Sequence, residues 1–410
     1  MTRRQIGILA VIAALATPVT ARAQLPPAPT GPVGDPADTA RVRIGPLFLQ
    51  PAFGLKDVGL DNNVFNEPEN PQKDWAGTVS LGMLAGLRFG PTRLTVKTNT
   101  DYVYYAHFKD ERSIDGQTRY QFEVRLPRLR PWVAYEKSKT HARSGFEVDA
   151  RAGRVIPTYE AGAEVKIGFR LSARLTGRQV QTAYQDEESF RGVDLGQALD
   201  FTNREGMAEL HYELSPLSSL RLSAAVQQAR FETATIRDAD DVSFTLGIEG
   251  RQGAGMEGYV DVGWKERKSA NPAAGAFSGL IARGSAAIIL FEEVRVAFGL
   301  DRDTQWSYEE FYTFYVQSGA SAIVTWRAHQ RLDIEGRGRH HWLDYEHGLD
   351  ERAVLRTDKT FAYGGGIGFF IRGYPGTRVG LSVERSARQS VLEDRRFDTL
   401  RYLTNVGFSF

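Results

Sequence analysis

The chain contains no cysteine at all. That excludes disulfides and every thiolate metal site, in any redox compartment. It also lacks an excess of charge of one sign: Lys and Arg number 51 against 50 Asp and Glu. A balance this close argues against a nucleic-acid footprint and against an acidic or basic tail. Beyond the first two dozen residues no run approaches eighteen consecutive apolar positions, so transmembrane helices are excluded. Long stretches of helical period are missing too. No Gly-x-Ser-x-Gly elbow appears, and the run Gly364-Gly365-Gly366-Ile367-Gly368 lacks the Lys of a phosphate loop. With 41 Gly, 23 Phe and 16 Tyr, the composition suits turns and strands.

The first residues form a leader. Arg3 and Arg4 precede the uncharged apolar stretch 6–16, and Ala21-Arg22-Ala23 is a small-x-small cleavage pattern before Gln24. Residues 1–23 are therefore expected to be a secretory signal peptide. Residues 24–45 hold Pro26, Pro27, Pro29, Pro32 and Pro36 and are expected to be an unstructured periplasmic lead-in.

From 46 to 410 the pattern is strict alternation. Arg170-Leu171-Ser172-Ala173-Arg174-Leu175-Thr176 is one instance, and Arg378-Val379-Gly380-Leu381-Ser382-Val383-Glu384 is another. Period two marks strands with one apolar and one polar face. The connections alternate in length. Short turns fall at 90–92, 127–131, 215–219, 252–255, 326–329 and 373–377, with two more near Phe169 and Glu292-Glu293. Longer polar loops lie between them, among them 140–157 and 186–203. Such asymmetry is that of a transmembrane barrel, and a soluble sandwich has no reason for it. The fold class expected is an all-β, antiparallel up-and-down transmembrane barrel. About eighteen strands are counted, with sixteen as the competing number, and an even count puts both termini on the periplasmic side.

If the apolar faces meet lipid, the charged faces line the lumen, because Arg at a bilayer midplane costs ~2–4 kcal/mol. The lumen candidates are Arg170, Arg174 and Arg178 on one strand, Glu160 and Glu164 beside them, and Arg331, Asp333, Glu335, Arg337 and Arg339 on another. Such rows either guide anions or neutralise one another as a solvated wall. Tyr and Trp, including Trp75, Tyr102, Tyr184, Tyr212, Trp264, Trp306, Tyr308, Tyr312, Tyr315, Trp326 and Tyr345, recur near expected strand ends. They are expected to form the aromatic girdles of a barrel. The cluster His340-His341-Trp342-Leu343-Asp344-Tyr345-Glu346-His347 is a possible metal-ligand set, outweighed by its simpler reading as a strand end. No catalytic residues, metal or cofactor are assigned.

The tail, Tyr402-Leu403-Thr404-Asn405-Val406-Gly407-Phe408-Ser409-Phe410, puts Tyr402, Val406, Phe408 and Phe410 on one face. It resembles the closing-strand signature of bacterial outer-membrane barrels, which implies recognition by the barrel-assembly machinery. A second segment, Pro51 to Asn66, carries Asp61-Asn62-Asn63-Val64-Phe65 after an extended strand. It is similar to the first-strand signature of the putative β-barrel porin type 2 family. The resemblance implies a porin-like barrel in the outer membrane, with some members linked to exopolysaccharide export. By composition alone, Asp61-Asn62-Asn63 is a turn or bulge at the top of the first strand. The expected function is a channel for hydrophilic solutes or polysaccharide. Its expected partners are outer-membrane lipids, lipopolysaccharide and the assembly machinery, without nucleic acid. The alternatives are a structural or adhesion barrel with partner-binding loops, and an outer-membrane enzyme.

Overall fold

The computed structural model describes residues 40, 42–251, 256–345, 348–349, 353, 355–371 and 377–409. The expected leader, the proline-rich stretch and Phe410 lie outside the described residues. A short strand, β1 (Val42–Ile44), folds back on the start of β2 (Leu47–Asp61), so pairing begins inside the expected lead-in. Next come β3 (Asp74–Phe89), β4 (Thr92–Tyr105), β5 (Ser113–Val124), β6 (Leu129–Thr140), β7 (Arg154–Lys166) and β8 (Leu171–Tyr184). The loop after β8 holds the small hairpin β9 (Ser189–Phe190) and β10 (Val193–Asp194), then the one-turn helix α1 (Leu195–Leu199). The series resumes with β11 (Phe201–Ser215), β12 (Ser218–Phe231), β13 (Ala239–Gly250), β14 (Met256–Ser269), β15 (Ala276–Leu290) and β16 (Val294–Trp306). It ends with β17 (Phe314–His329), β18 (Leu332–Tyr345), β19 (Arg356–Phe370), β20 (Arg378–Gln389) and β21 (Phe397–Ser409).

Each strand pairs antiparallel with its chain neighbours, and β2 pairs with β21, from Ala52 opposite Ser409 to Asp61 opposite Arg401. The result is a closed barrel of eighteen strands, with β1 and the hairpin outside the count. Closure leaves no unpaired sheet edge. Among the described residues, short turns gather at one end and loops at the other, as the alternation of connection lengths implied; the expected turns at 252–255 and 373–376 lie outside the described residues. The closing seam demands glycine at 59, where a Cβ would lie 1.7 Å from the Tyr402 carbonyl oxygen. Beside it Asp57 has φ +51° in a bulge, and its N–H donates to Asn405 Oδ1 at 2.7 Å.

The Asp61-Asn62-Asn63 run is the turn that its composition implies. Asn63 N–H donates to Asp61 Oδ1 at 3.0 Å, and the buried Asn63 amide grips Glu67 through both its Oδ1 and its Nδ2. Asn62 Oδ1 accepts from Leu400 N at 2.7 Å, tying the first loop to the closing strand. Val64 is thereby buried, and Phe65 meets Phe108 edge-on at 4.9 Å.

Alternation sorts the faces as the sequence pattern implied. Leu81, Leu175, Leu222, Val226 and Phe244 point outward and are more than half exposed. An apolar belt of this extent is not compatible with water and requires lipid. The outward aromatics Trp75, Tyr102, Tyr212 and Trp326 are exposed toward the ends of their strands, whereas Trp264 and Tyr402 are exposed nearer mid-strand, opposite Phe244 and Val383. Other members of the expected girdle are not there. Tyr184, Trp306, Tyr308, Tyr312, Tyr315 and Tyr345 are buried inside the loop end of the barrel. Period two says which face a residue takes, but at strand ends the inner face meets folded loops instead of water.

Candidate functional site: a charged lumen beneath an inward-folded loop

Inward-facing charges form ladders that run around the wall, because successive strands offer opposite signs at matched register. Arg174 on β8 lies between Glu164 on β7, at 2.8 Å, and Glu209 on β11, at 3.6 Å. Arg221 on β12 continues the row to Asp261 on β14 at 2.6 Å, and Arg283 on β15 reaches the same carboxylate at 3.4 Å. Arg178, two inward positions nearer the loops, has Glu160 opposite it on β7 and Glu205 opposite it on β11. Glu160 is held by Arg119 Nη2 and by Trp132 Nε1, both at 2.9 Å.

The opposite wall is built likewise. Asp333 accepts two bonds from Arg378, at 2.6 and 2.8 Å. Arg337 lies 3.9 Å from Glu335 and 3.7 Å from Glu384, and Arg339 lies 3.9 Å from Glu384. Arg170 and Arg331 fall in short turns, one residue before β8 and β18, and are exposed there. The row of three arginines on one strand is therefore two residues on the strand and one at its turn. Alternating signs satisfy buried guanidinium and carboxylate groups locally, so these rows are chiefly a structural wall. Removing one partner of a buried pair costs roughly 3–5 kcal/mol. His340 and His341 take opposite faces. His340 stacks on Trp342 at 4.1 Å, while His341 Nε2 lies 3.2 Å from Asp301 Oδ1. Adjacent strand residues cannot converge on one ion, and among the described residues no His, Asp and Glu cluster has metal-site geometry.

The feature that sequence reasoning missed is the loop between β6 and β7, residues 141–153. It was expected to be a polar surface loop. Instead it enters the barrel and reaches strands halfway round the ring. Phe146 stacks on His341 of β18 with ring centroids 4.0 Å apart. The Glu147 carboxylate is buried and accepts three bonds: Ser307 Oγ at 2.7 Å, Tyr308 N at 3.0 Å and Tyr345 Oη at 2.8 Å. Arg395 Nη2 donates to the Glu147 carbonyl at 3.0 Å, and Arg388 Nη1 donates to that of Phe146 at 2.8 Å. Arg388 also binds Asp358 at 2.5 Å and Asp149 at 3.5 Å. On the near side, Arg143 Nη2 donates to the Val64 carbonyl at 2.7 Å. Burial drives the Glu147 carboxyl above the usual carboxylate range; Glu309 adds to this, while Arg395 and the hydrogen bonds oppose it.

Val148 continues the loop into an apolar cluster with Phe190, Leu195, Leu199, Phe231, Trp306 and Tyr308. α1 supplies its two leucines. Asp194 caps α1, accepting from Gln197 N at 2.9 Å. Arg267 lies 4.0 Å above the Trp306 ring and is held by Asp241 at 2.8 Å. Between loop, helix and wall remains a cavity of about 10 Å³, lined in part by Ser144, Glu147, Leu199 and Tyr315. The loop end of the lumen is thus spanned by a packed lid, and the wall beneath it carries the paired charges. The signal available in sequence was Phe146 and Val148, two large apolar residues flanking Glu147 inside an otherwise largely polar loop.

Residues 35–408 match the model of a family described as Putative beta-barrel porin 2. No match is found among curated protein sequences. Among solved structures, the chain is similar to a BenF-like porin from Pseudomonas fluorescens Pf-5, with 13% identity and a TM-score of 0.51. That match covers 88% of this chain and 99% of that one. It is also similar to Pseudomonas aeruginosa OccK2 (OpdF), with 11% identity, 88% and 98% coverage and a TM-score of 0.51. The same channel in complex with glucuronate gives 11% identity, 88% and 98% coverage and a TM-score of 0.50. At these identities the likeness is one of fold.

Proposed function

The chain belongs to the Putative beta-barrel porin 2 family of outer-membrane barrels, and from that premise we propose that it is a passive channel for small hydrophilic solutes. In this proposal the loop between β6 and β7 is its constriction. The observation that carries the proposal is a loop anchored by Glu147 across a lumen whose wall is lined by charge on both sides. A wall of alternating sign favours hydrated solutes and opposes strong selection by charge. One barrel of the same fold is recorded with glucuronate, a small hydrophilic acid. Purified protein in planar bilayers tests the proposal by its conductance.

The finer parts of the proposal are these. Residues 1–23 direct secretion, and residues 24–45 lead into the barrel from the periplasm. The long loops face outward, and the C-terminal sequence signature of Tyr402, Val406, Phe408 and Phe410 is read by the assembly machinery. Tags at Asp238 and Asn271 should then be reachable on intact cells and tags at Pro91 and Ser218 should not; the reverse pattern would invert the barrel. Passage of a polysaccharide, which the family resemblance suggests, requires the lid to move aside. We assign no catalytic role, since the charges of the wall are committed to one another.

A further inference from the structure

The outer face carries a second pattern that channel function does not use. Along β2 to β11 the outward positions of the barrel strands hold no acidic residue. The outward charges in this sector are Lys137 and Lys139 on β6 and Arg204 on β11. All are exposed, and all lie in the half of the strand nearest the loops. Arg204 Nε donates to Gln179 Oε1 at 3.2 Å, which leaves the outer edge of its guanidinium available. Gln179 is in register with Tyr159, and Tyr159 with Tyr135, the two rings 5.1 Å apart.

One row further from the loops, the surface sinks. Ala161, Gly177 and Gly206 are in register, and Ala163, Leu175 and Ala208 form the next row. They floor an apolar groove of about 670 Å³, bounded by Val226 and Phe244 on β12 and β13. In a bilayer this groove opens toward acyl chains, and the cations stand above it at the level of headgroups.

We infer that this face is a docking site for one lipid A molecule, with its phosphates on Lys137, Lys139 and Arg204 and an acyl chain in the groove. The inference rests on the long loops facing outward, the side on which lipid A resides. The charge complementarity is specific: Lys137, Lys139 and Arg204 meet no outward acid on β6 to β11, and at the far edge of the seat, on β12 and β13, Arg230 and Asp240 pair with each other at 2.8 Å. β6 and β11 are three strand spacings apart, or about 14 Å. A disaccharide phosphorylated at both ends spans such a gap, whereas a glycerophospholipid has a single phosphate. Charge-assisted contacts to phosphate are the strong class of hydrogen bond.

The experiment uses the full barrel in detergent, with native mass spectrometry scoring bound lipid A, monophosphorylated lipid A and phosphatidylglycerol. Two variants accompany it. The triple change Lys137→Glu, Lys139→Glu and Arg204→Glu removes the cations. Gly206→Leu fills the groove, and its Cβ meets only Val226 Cγ2 at an ordinary 3.5 Å. Wild type should bind lipid A at least tenfold tighter than phosphatidylglycerol, with the monophosphorylated form between them. Either variant should lose tenfold or more while keeping heat-modifiable migration and conductance. Unchanged lipid A binding in folded Gly206→Leu or in the folded triple variant would overturn the site. Equal binding of phosphatidylglycerol would overturn its assignment to lipid A. If the triple variant fails to fold, Gly206→Leu decides. Detergent binding does not depend on orientation, so the tag experiment on intact cells fails or succeeds separately.

Discussion

Replacing Glu147 by Ala should loosen the lid without unfolding the barrel. The carboxylate is the acceptor for Ser307 Oγ, Tyr308 N and Tyr345 Oη, all buried donors. Truncation leaves these three unpaired, each at about 1–3 kcal/mol, and removes a charge that lies beside Arg395. Partial rehydration recovers some of this, so a net loss of roughly 3–5 kcal/mol is expected for the closed arrangement. That corresponds to a shift of about 10²–10⁴ in the equilibrium between seated and displaced loop. The strands are unaffected, because none of the broken bonds belongs to the ladder. Two assays report on it. Hydrogen exchange over 141–153 should accelerate by that factor while the strands stay protected. In planar bilayers the variant should show larger or more frequent conductance steps than wild type. Unchanged exchange in the loop together with unchanged conductance would refute the assignment of Glu147 as the anchor.

Three further outcomes are expected. Arg170→Glu, exposed in the turn before β8, should shift the reversal potential toward cations in an assembled barrel, whereas Arg174→Glu, between Glu164 and Glu209, should impair assembly by placing a third carboxylate among two; equal behaviour of the two on heat-modifiability gels would count against the paired wall. Leu175→Arg faces lipid and should cost about 2–4 kcal/mol near the midplane and lower the assembled fraction; a normal yield would mean the faces are reversed. Asp200 sits between α1 and β11 and accepts from Tyr184 N at 2.8 Å; burial, helped by Glu232 and Asp194 and opposed by that hydrogen bond, pushes its carboxyl up to about 6. A raised carboxyl favours the folded junction at low pH and loses that contribution as pH climbs from about 4 through about 6, so protection of the Tyr184 amide, corrected for intrinsic exchange, should fall over that window and stay flat in Asp200→Asn.

The barrel was legible because lipid and water impose a period of two that side-chain chemistry cannot disguise. Leu175 outward and Arg174 inward follow from alternation alone. The turns were legible from length, and Asp61-Asn62-Asn63 from the habit of short amides to bond their own backbone. The lid was not legible. Its contacts join Glu147 to Ser307, Tyr308 and Tyr345, more than 150 residues away, and no periodicity encodes a loop that folds inward. The same blindness misplaced Tyr308, Tyr312 and Tyr345, which look like girdle residues until the loop they pack against is known. The pairing of Arg174 with both neighbours was half visible. Opposite charges were evident, but only register shows that Glu164 and Glu209 lie at the same level.

The most direct test of the channel assignment is the conductance of the purified barrel in planar bilayers, wild type beside Glu147→Ala. We expect discrete steps from wild type, weak preference between cations and anions, and increased current from the variant. A correctly assembled barrel that passes no ions in either form would contradict the assignment.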